Sequence, residues 1–277
     1  MAASTSSLGA AVALAVALLA TAAAAGERLP DGGVASAPGH GINRAWYEDP
    51  TGRYDHGILG DAIEATTLVA VAGGREYRVT LAMNEVIEDL TPRLADLDGD
   101  GGAEAAVIVS DLSRGSALAV YGVRGAALVR LAVTPFNGRV HRWLAPAGIA
   151  DFDGDGRLEI AIVRTPHIGG TLEFYQLSGG RLVREGSARG FSNHSIGSRN
   201  LDEAAVTDVN GDSIPDLLLA DAARTSIVAM TLAGGLRELG RVGLGAKLAG
   251  GIRARGGRVS VPTVAGVKSF SYRDFAK

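Results

Sequence analysis

The sequence contains no cysteine among its 277 residues, and only 5 % of its residues are aromatic. The absence of cysteine excludes a disulfide framework, a thiolate zinc site and a cysteine nucleophile. The few aromatic residues leave little material for the stacking platforms of a lectin. A net charge of −3 without basic blocks indicates no general attraction to nucleic acid or anionic membranes. The chain also lacks a G-x-S-x-G motif, a P-loop and a G-x-G-x-x-G motif after a strand.

The N-terminal segment has no charged side chain before Glu27. An apolar stretch at residues 8–20 is followed by small residues at 21–25, with several Ala-x-Ala options. This pattern predicts a signal peptide over residues 1–25 and a periplasmic or secreted protein with no membrane span after cleavage. The segment lacks Lys and Arg, so a retained anchor is the alternative, although its apolar length barely reaches that of a span. A low-complexity tail without targeting meaning is a third interpretation.

An acidic, glycine-rich motif recurs along the chain, as ADLDGDGGAE at 95–104, ADFDGDGRLE at 150–159 and the altered copy DVNGDSIPD at 208–216. Oxygen side chains at positions 1, 3, 5 and 9 of a tight loop suit a hard cation such as Ca²⁺. We expect the backbone carbonyl at position 7 to be a further ligand. The candidate ligands are Asp96, Asp98, Asp100, Gly102 and Glu104 in the first loop, Asp151, Asp153, Asp155, Arg157 and Glu159 in the second, and Asp208, Asn210, Asp212, Ile214 and Asp216 in the third.

Clustered carboxylates are costly without a cation. Two of them about 4 Å apart repel by about 4 kcal/mol at an effective dielectric constant of about 20. A solvated acidic turn is the alternative, since Asp and Gly both favour turns. That alternative explains neither the spacing nor the repetition, and it is stronger for the third loop, where Ser213 replaces a glycine and Asn210 removes one charge.

The residues after the three loops exclude an EF-hand. Its bidentate glutamate at position 12 would fall on Val107, Ile162 and Leu219, which cannot bind a cation. An EF-hand loop also lies between helices, whereas these loops lead into β-rich runs. A dockerin-type loop fails for the same reason.

The motif followed by an apolar strand resembles the FG-GAP/VCBS repeat of integrin-α-like β-propellers. The resemblance covers roughly residues 55–277, is carried most clearly by the first two loops, and is weak at both ends. It implies a propeller whose calcium loops stiffen the hairpins of its blades, usually in an extracytoplasmic protein.

Period-2 alternation bounded by glycine turns predicts strands throughout the rest of the chain, and no long amphipathic helix is indicated. Degenerate repeats without acidic loops begin near Asp61 and Arg253. With the three acidic loops, these starts predict five units, and hence an all-β propeller of five blades with short terminal blades over residues 57–277. Residues 26–56 are predicted to be an extended N-terminal lead, and a two-sheet sandwich is the alternative fold.

Two polar segments, at residues 136–143 and 191–199, precede the second and third loops. Their side chains His141, Arg142, His194 and Arg199 are candidates for a ligand or partner face. The alternative is that they satisfy backbone groups between repeats and contact water. The other histidines, His40, His56 and His167, have no metal-ligand spacing, and we expect surface or capping roles for them.

Every motif is explained by metal binding and repeat architecture, so we predict a monomeric, calcium-binding interaction module for a protein or glycan and not an enzyme. The alternatives are a carbohydrate-active enzyme, either a lyase or a glycosidase, or a lectin on the same scaffold. A catalytic interpretation requires a pocket that holds a carboxylate or histidine of perturbed pKa outside the acidic loops.

Overall fold

The computed structural model describes residues 26–275, and it consists of β-strands with one 3-10 helix, Tyr272–Phe275. The all-β class predicted from the sequence is confirmed. The predicted signal peptide lies outside the described residues. The strands are β1 (Ala35–Ser36), β2 (His40–Thr51), β3 (Glu64–Ala72), β4 (Arg75–Thr80), β5 (Glu85–Ile87), β6 (Arg93–Ala95), β7 (Gly102–Asp111), β8 (Gly115–Arg124), β9 (Ala127–Val133), β10 (Leu144–Ala150), β11 (Glu159–Arg164), β12 (Thr171–Ser178), β13 (Arg181–Arg189), β14 (Phe191–Ser192), β15 (Ala204–Thr207), β16 (Asp216–Asp221), β17 (Ser226–Thr231), β18 (Arg237–Gly243), β19 (Arg253–Arg255), β20 (Arg258–Thr263) and β21 (Gly266–Ser271).

These strands form four sheets in chain order, and their pairings are antiparallel except for a short parallel pairing of β2 with β7. A nine-stranded sheet joins β1 to β9, and it is followed by sheets of four, five and three strands. The first sheet combines two repeats, because β5 pairs with both β3 and β7. Consecutive hairpins thus build consecutive sheets, as the repeated turn signals of the sequence predict.

The three acidic loops occupy equivalent hairpins, between β6 and β7, between β10 and β11, and between β15 and β16. In the second hairpin, Ala150 pairs with Glu159 beside the loop, and Leu144 pairs with Arg164 at the far end. Each loop therefore lies at one end of its sheet, and the connections between repeats lie at the opposite end. No helix flanks the loops among residues 26–275, in agreement with the exclusion of an EF-hand.

Residues 26–56, predicted to be an extended lead, contain β1 and β2 and form part of the first sheet. Strand β2 pairs with β3 from Ile42 to Thr51. Its aromatic pair Trp46 and Tyr47 is buried, with Tyr47 fully inaccessible. The sequence did not predict β2, because this segment has no sustained apolar period. The register of the strand is irregular between Ile42 and Arg44.

The central strands are buried on both faces, which explains their continuous apolar runs. Leu217, Leu218 and Leu219 are consecutive in β16, and all three are inaccessible to solvent. Successive side chains of a strand point to opposite faces, so each face must be covered by a neighbouring sheet. Burial of one such leucine contributes about 1.5–3 kcal/mol.

Neighbouring sheets pack through small and branched side chains. Ile108 and Leu118 of the first sheet share a core cluster with Ile160 and Ile162 of the second. Among residues 26–275, no helix is long and apolar enough to cross a membrane.

Candidate functional site

The acidic loops share one hydrogen-bond pattern, which orients their carboxylates. In the first loop, Asp96 accepts hydrogen bonds from the backbone N–H groups of Gly99 and Gly101 at 2.9 and 3.0 Å. The Glu104 carboxylate accepts one from Leu97 N–H at 3.0 Å. The second and third loops repeat these contacts through Asp151 and Glu159 and through Asp208 and Asp216.

The residues at positions 3, 5 and 7 adopt the same pattern in all three loops. Asp98 accepts from Asp100 N–H at 3.1 Å, and Asp100 accepts from Gly102 N–H at 2.8 Å. The equivalent acceptors are Asp153 and Asp155 in the second loop and Asn210 and Asp212 in the third, with Arg157 and Ile214 as the final donors. Involvement of the carbonyls of Gly102, Arg157 and Ile214 stays a prediction.

Carboxylates converge in the first two loops. One oxygen each of Asp96, Asp98 and Glu104 lies within 4.8 Å of the others, and Asp151, Asp153 and Glu159 form the same group. Burial, together with the neighbouring Asp98 and Asp100 charges, raises the pKa of Glu104 to about 7. Burial likewise raises the pKa of Glu159. Oxygen-only donors gathered around one centre fit a hard divalent cation.

The third loop keeps the backbone conformation of the other two despite its altered sequence, although among the described residues three carboxylates converge only in the first two loops. Ser213 adopts φ 70°, close to the 87° and 88° of the glycines Gly101 and Gly156 at the same position. Its buried ligand candidate Asp216 has one oxygen, Oδ1, without a hydrogen-bond partner among the described residues. A buried carboxylate oxygen without a partner is costly, and a bound cation would remove that cost.

An arginine approaches the first loop from strand β8. Arg124 donates to Asp98 Oδ2 at 2.6 Å, and its guanidinium lies 3.7 Å from Glu104 Oε1. In the second loop, the neutral Gln176 donates to Asp155 and Glu159 instead. The first loop therefore has an internal positive charge that the second lacks.

A histidine-lined pocket of about 280 Å³ lies at the opposite end of the sheets from the acidic loops. Four connections build it, namely those between β2 and β3, β9 and β10, β11 and β12, and β14 and β15. Its lining includes His56, His141, Arg142, Trp143 and His167. We call this cavity the histidine pocket.

On the side of the histidine pocket that contains His56, a buried carboxylate positions the lining residues. His56 Nδ1 contacts Glu88, which is 1 % exposed and also accepts hydrogen bonds from the hydroxyls of Ser110 and Ser116. The indole N–H of Trp143 donates to the Glu88 backbone carbonyl at 2.9 Å. Because a carboxylate accepts, His56 Nδ1 carries the proton in this contact.

His141 stacks on His56, with ring centroids 4.8 Å apart and planes 11° from parallel. His141 Nε2–H donates to the Tyr54 carbonyl at 3.1 Å, and the Tyr54 hydroxyl accepts from His141 N–H at 3.0 Å. Burial raises the pKa of Tyr54. Burial also raises the pKa of Glu64, whose carboxylate faces His56 N–H, to about 7.

The other side of the histidine pocket contains a hydrogen-bonded histidine pair. His194 Nε2–H donates to the Ser198 carbonyl at 2.8 Å, so its Nδ1 accepts from His167 Nε2 at 3.1 Å. Burial lowers the pKa of both rings to about 4. Both imidazoles are therefore neutral near pH 7.

The close approach of these two histidines depends on Gly170. A Cβ at this position would lie 1.8 Å from the Phe191 carbonyl oxygen. That carbonyl belongs to the strand that leads to His194, so only glycine lets the two connections meet.

Three of the six non-glycine residues with positive φ angles in the described part of the chain lie at the histidine pocket or next to its lining. Asp55, His141 and Thr165 have φ angles of 51°, 55° and 50°. Non-glycine residues in this region cost on the order of 1–3 kcal/mol each, and they cluster at functional sites.

The predicted partner face is only partly assembled. His141 and Arg142 line the pocket, whereas His194 is fully buried beneath it against Trp143, with ring centroids 4.7 Å apart. Arg199 does not line it, because its guanidinium donates to Asp31 and Asp61, each at 2.6 Å.

Sequence reasoning missed His56 and His167, which were expected to have surface or capping roles. They belong to different repeats, so no spacing within one segment reveals them. The available signal was their position in connections at the same end of consecutive repeats. His40 instead lines a cavity beside the first acidic loop.

A larger cavity of about 450 Å³ is mainly apolar. Its one arginine, Arg93, is held by the buried Asp89. Because titratable groups converge in the histidine pocket instead, we place the candidate functional site there.

No protein-family model matches the chain, and no curated protein matches it. Solved structures of similar fold include the rhamnogalacturonan lyase YesW (TM-score 0.56, 14 % identity), the exotype rhamnogalacturonan lyase YesX (0.57, 17 %) and a rhamnogalacturonan lyase from Bacillus licheniformis (0.54, 17 %). They cover 88, 90 and 91 % of this chain, which spans 52, 51 and 52 % of theirs.

These similarities establish the fold. They also overturn the expectation that the chain is not an enzyme, because the similar structures are lyases.

Proposed function

We propose that this chain is a calcium-stabilised, carbohydrate-active domain that cleaves an acidic polysaccharide by β-elimination in the histidine pocket. One observation carries the proposal, namely the similarity of about nine-tenths of the chain to three rhamnogalacturonan lyases. The chain spans about half the length of these lyases.

The contents of the histidine pocket suit an acidic sugar. Elimination next to a carboxylate needs a positive group that neutralises the carboxylate and a base that removes the proton on the adjacent carbon. Arg142 offers the first, and a histidine of the pocket lining offers the second. Ile168 and Ile196, 61 and 71 % exposed, add an apolar rim on which a sugar ring can pack.

The size of the pocket favours one unit of a chain over a long segment. Ligand pockets span roughly 300–1,000 Å³, and the histidine pocket, at about 280 Å³, lies just below this range. The neighbouring units of the polymer would then extend over the surface of the connections.

The acidic loops would have a structural role in this proposal. Asp96, Asp98 and Glu104 of the first loop, and their equivalents, would hold Ca²⁺ at the end of each sheet remote from the pocket. The bound cation neutralises the carboxylates and stiffens the hairpins that carry the connections.

The finer fold proposal is a five-bladed β-propeller of FG-GAP/VCBS type with short terminal blades over residues 57–277. The three equivalent acidic hairpins and the face-to-face packing of successive sheets support it. The protein would be a secreted or periplasmic monomer, and its partner would be a glycan.

The function can be tested on polysaccharides of known charge. We expect the purified protein with Ca²⁺ to cleave rhamnogalacturonan or another uronate-containing polymer and to leave neutral galactan intact. Elimination creates a C=C bond that absorbs ultraviolet light, and its products are lighter by one water than those of hydrolysis. Mass spectrometry thus separates a lyase from a glycosidase.

A matched pair of variants tests the location. Arg142→Gln should raise KM strongly for an acidic polymer, whereas Arg139→Gln, an exposed arginine three residues earlier that does not line the pocket, should not. Absence of cleavage on every uronate-containing polymer would contradict the proposal, and equal effects of the two variants would contradict the assigned pocket.

A further inference from the structure

We propose that His56 is the general base of the histidine pocket and that Glu88 is its positioning residue. This inference rests on the proposed function, since it names the group that would remove the proton there. It depends on the contacts of His56, which differ from those of the other three histidines at the pocket, His141, His167 and His194.

The hydrogen bonds of the four imidazoles decide between them. His141 Nε2–H donates to a neutral carbonyl, and His194 is fully buried with both ring nitrogens engaged. His167 donates to His194, and burial lowers its pKa to about 4, which makes it a weak base. His56 is the histidine whose ring contacts a carboxylate.

Glu88 is built into the core, so the contact has a defined geometry. Its two oxygens are divided between His56 on one side and the hydroxyls of Ser110 and Ser116 on the other. Its backbone N–H donates to the Ile108 carbonyl at 3.1 Å. A carboxylate held this way fixes the Nδ1–H tautomer and stabilises the imidazolium that forms when Nε2 accepts a proton.

Two rings pack against the imidazole of His56. The His141 ring stacks on it and the Tyr54 ring meets it edge-on, with centroids 4.8 and 5.8 Å from that of His56. His56 N–H faces Glu64 Oε1 at 3.4 Å, which holds its backbone. The side chain of His56 remains 13 % exposed and lines the pocket. Nε2 is therefore the ring nitrogen left for a ligand.

The step balances without any further reactant. His56 Nε2 takes the proton on the carbon next to the uronate carboxylate, and the electrons of that C–H bond form the new C=C bond. The C–O bond to the leaving sugar breaks, and its oxygen takes a proton from water. The imidazolium then returns its proton to the hydroxide formed.

The activity test compares two variants with a matched histidine control. His56→Ala should lower kcat by about 10²–10⁴-fold, the usual contribution of a general base, and added imidazole should restore part of the loss. His40→Gln, at the other end of the sheets, should change little. Full activity of His56→Ala would overturn the proposal.

Glu88→Gln separates positioning from simple support of the fold. It should lower kcat with little change in KM, and it should move the acidic limb of the pH profile of kcat. The charged or titratable groups that face His56 are Glu88, Glu64, Tyr54, His141 and His167, so Glu64→Gln is the control for a general charge effect. An equal shift in both variants would contradict the specific role of Glu88.

A measurement without substrate distinguishes failure of this inference from failure of the proposed function. ¹⁵N NMR of labelled imidazoles should find His56 as the Nδ1–H tautomer, and Glu88→Ala, which removes the acceptor, should abolish that preference. An Nε2–H tautomer would overturn the pairing even if the polymer is cleaved. The Nδ1–H tautomer in a protein that cleaves no polymer would remove the proposed function and, with it, the catalytic role of His56.

Discussion

The charge of Glu104 should have opposite effects on stability with and without calcium. Glu104 is 2 % exposed, and its carboxylate lies within 4.8 Å of oxygens of Asp96 and Asp98. At that distance, one pair of charges repels by about 3.5 kcal/mol at an effective dielectric constant of about 20. Since the two aspartates are partly exposed, solvent screens part of this repulsion. We therefore expect Glu104→Gln to raise the free energy of unfolding in EDTA by only about 1–2 kcal/mol.

Calcium reverses the sign of this effect, because the same carboxylate becomes a ligand. If the substitution weakens binding tenfold at saturating Ca²⁺, stability falls by about 1.4 kcal/mol. The glutamine oxygen can still accept from Leu97 N–H, so the loop retains that hydrogen bond.

The assay is thermal unfolding at pH 8 in EDTA and in Ca²⁺. About 1 kcal/mol moves Tm by about 2–4 °C in a domain of this size, so Glu104→Gln should melt higher than wild type in EDTA and lower in Ca²⁺. The pKa of Glu104 is raised to about 7. The folded protein therefore loses stability as the pH rises from the pKa that Glu104 has in the unfolded chain towards 7. At pH 5 Glu104 is mostly protonated in the folded protein, so the difference in Tm between Glu104→Gln and wild type in EDTA should shrink.

Glu185→Gln, on the exposed strand β13, is the matched control and should change Tm little in either condition. A Glu104→Gln shift of the same sign in EDTA and Ca²⁺ would refute the reasoning. It would mean that the carboxylate acts through packing and not through its charge.

The same structure supports three further predictions. Calcium should raise Tm, because a ligand at a hundred times its dissociation constant adds about 2.7 kcal/mol to the free energy of unfolding for each site. The double variant Asp98→Ala with Asp153→Ala should lower the calorimetric binding stoichiometry by two. A Tm that does not change in EDTA would contradict this. Arg124→Gln should tighten calcium binding at the first loop, because it removes a cation from Asp98 and Glu104, and an unchanged titration would exclude that competition. His194, fully buried with its pKa lowered to about 4, stays neutral while the unfolded chain takes up a proton below about pH 6.5. Stability should therefore fall by about 3 kcal/mol between pH 6.5 and 4, and urea unfolding of His194→Gln should show a shallower decline.

The acidic loops could be predicted in detail because all their determinants are local. Asp96, Gly99 and Glu104 lie within nine residues, and the same backbone contacts recur wherever that spacing recurs. The strands after the loops were equally predictable from their apolar runs. Strand β2 escaped prediction because its partner begins thirteen residues after it ends, so its pairing left no local pattern.

The histidine pocket could not be predicted in the same way. His56 meets Glu88 across 32 residues of sequence, and it stacks on a ring 85 positions further along the chain. The buried environment that lowers the pKa of His167 and His194 is also supplied by other segments.

The sequence alone thus determined the all-β class, the repeats and the oxygen-rich loops, because short-range spacing and turn chemistry dictate them. Only the tertiary structure decided which connections share one end of the sheets. Hydrogen-bond register between strands brings His56, Glu88 and Arg142 to the same side, and register depends on packing between distant segments. The physical reason is that a ligand loop closes within one hairpin, whereas a pocket needs several hairpins to be stacked in a fixed order.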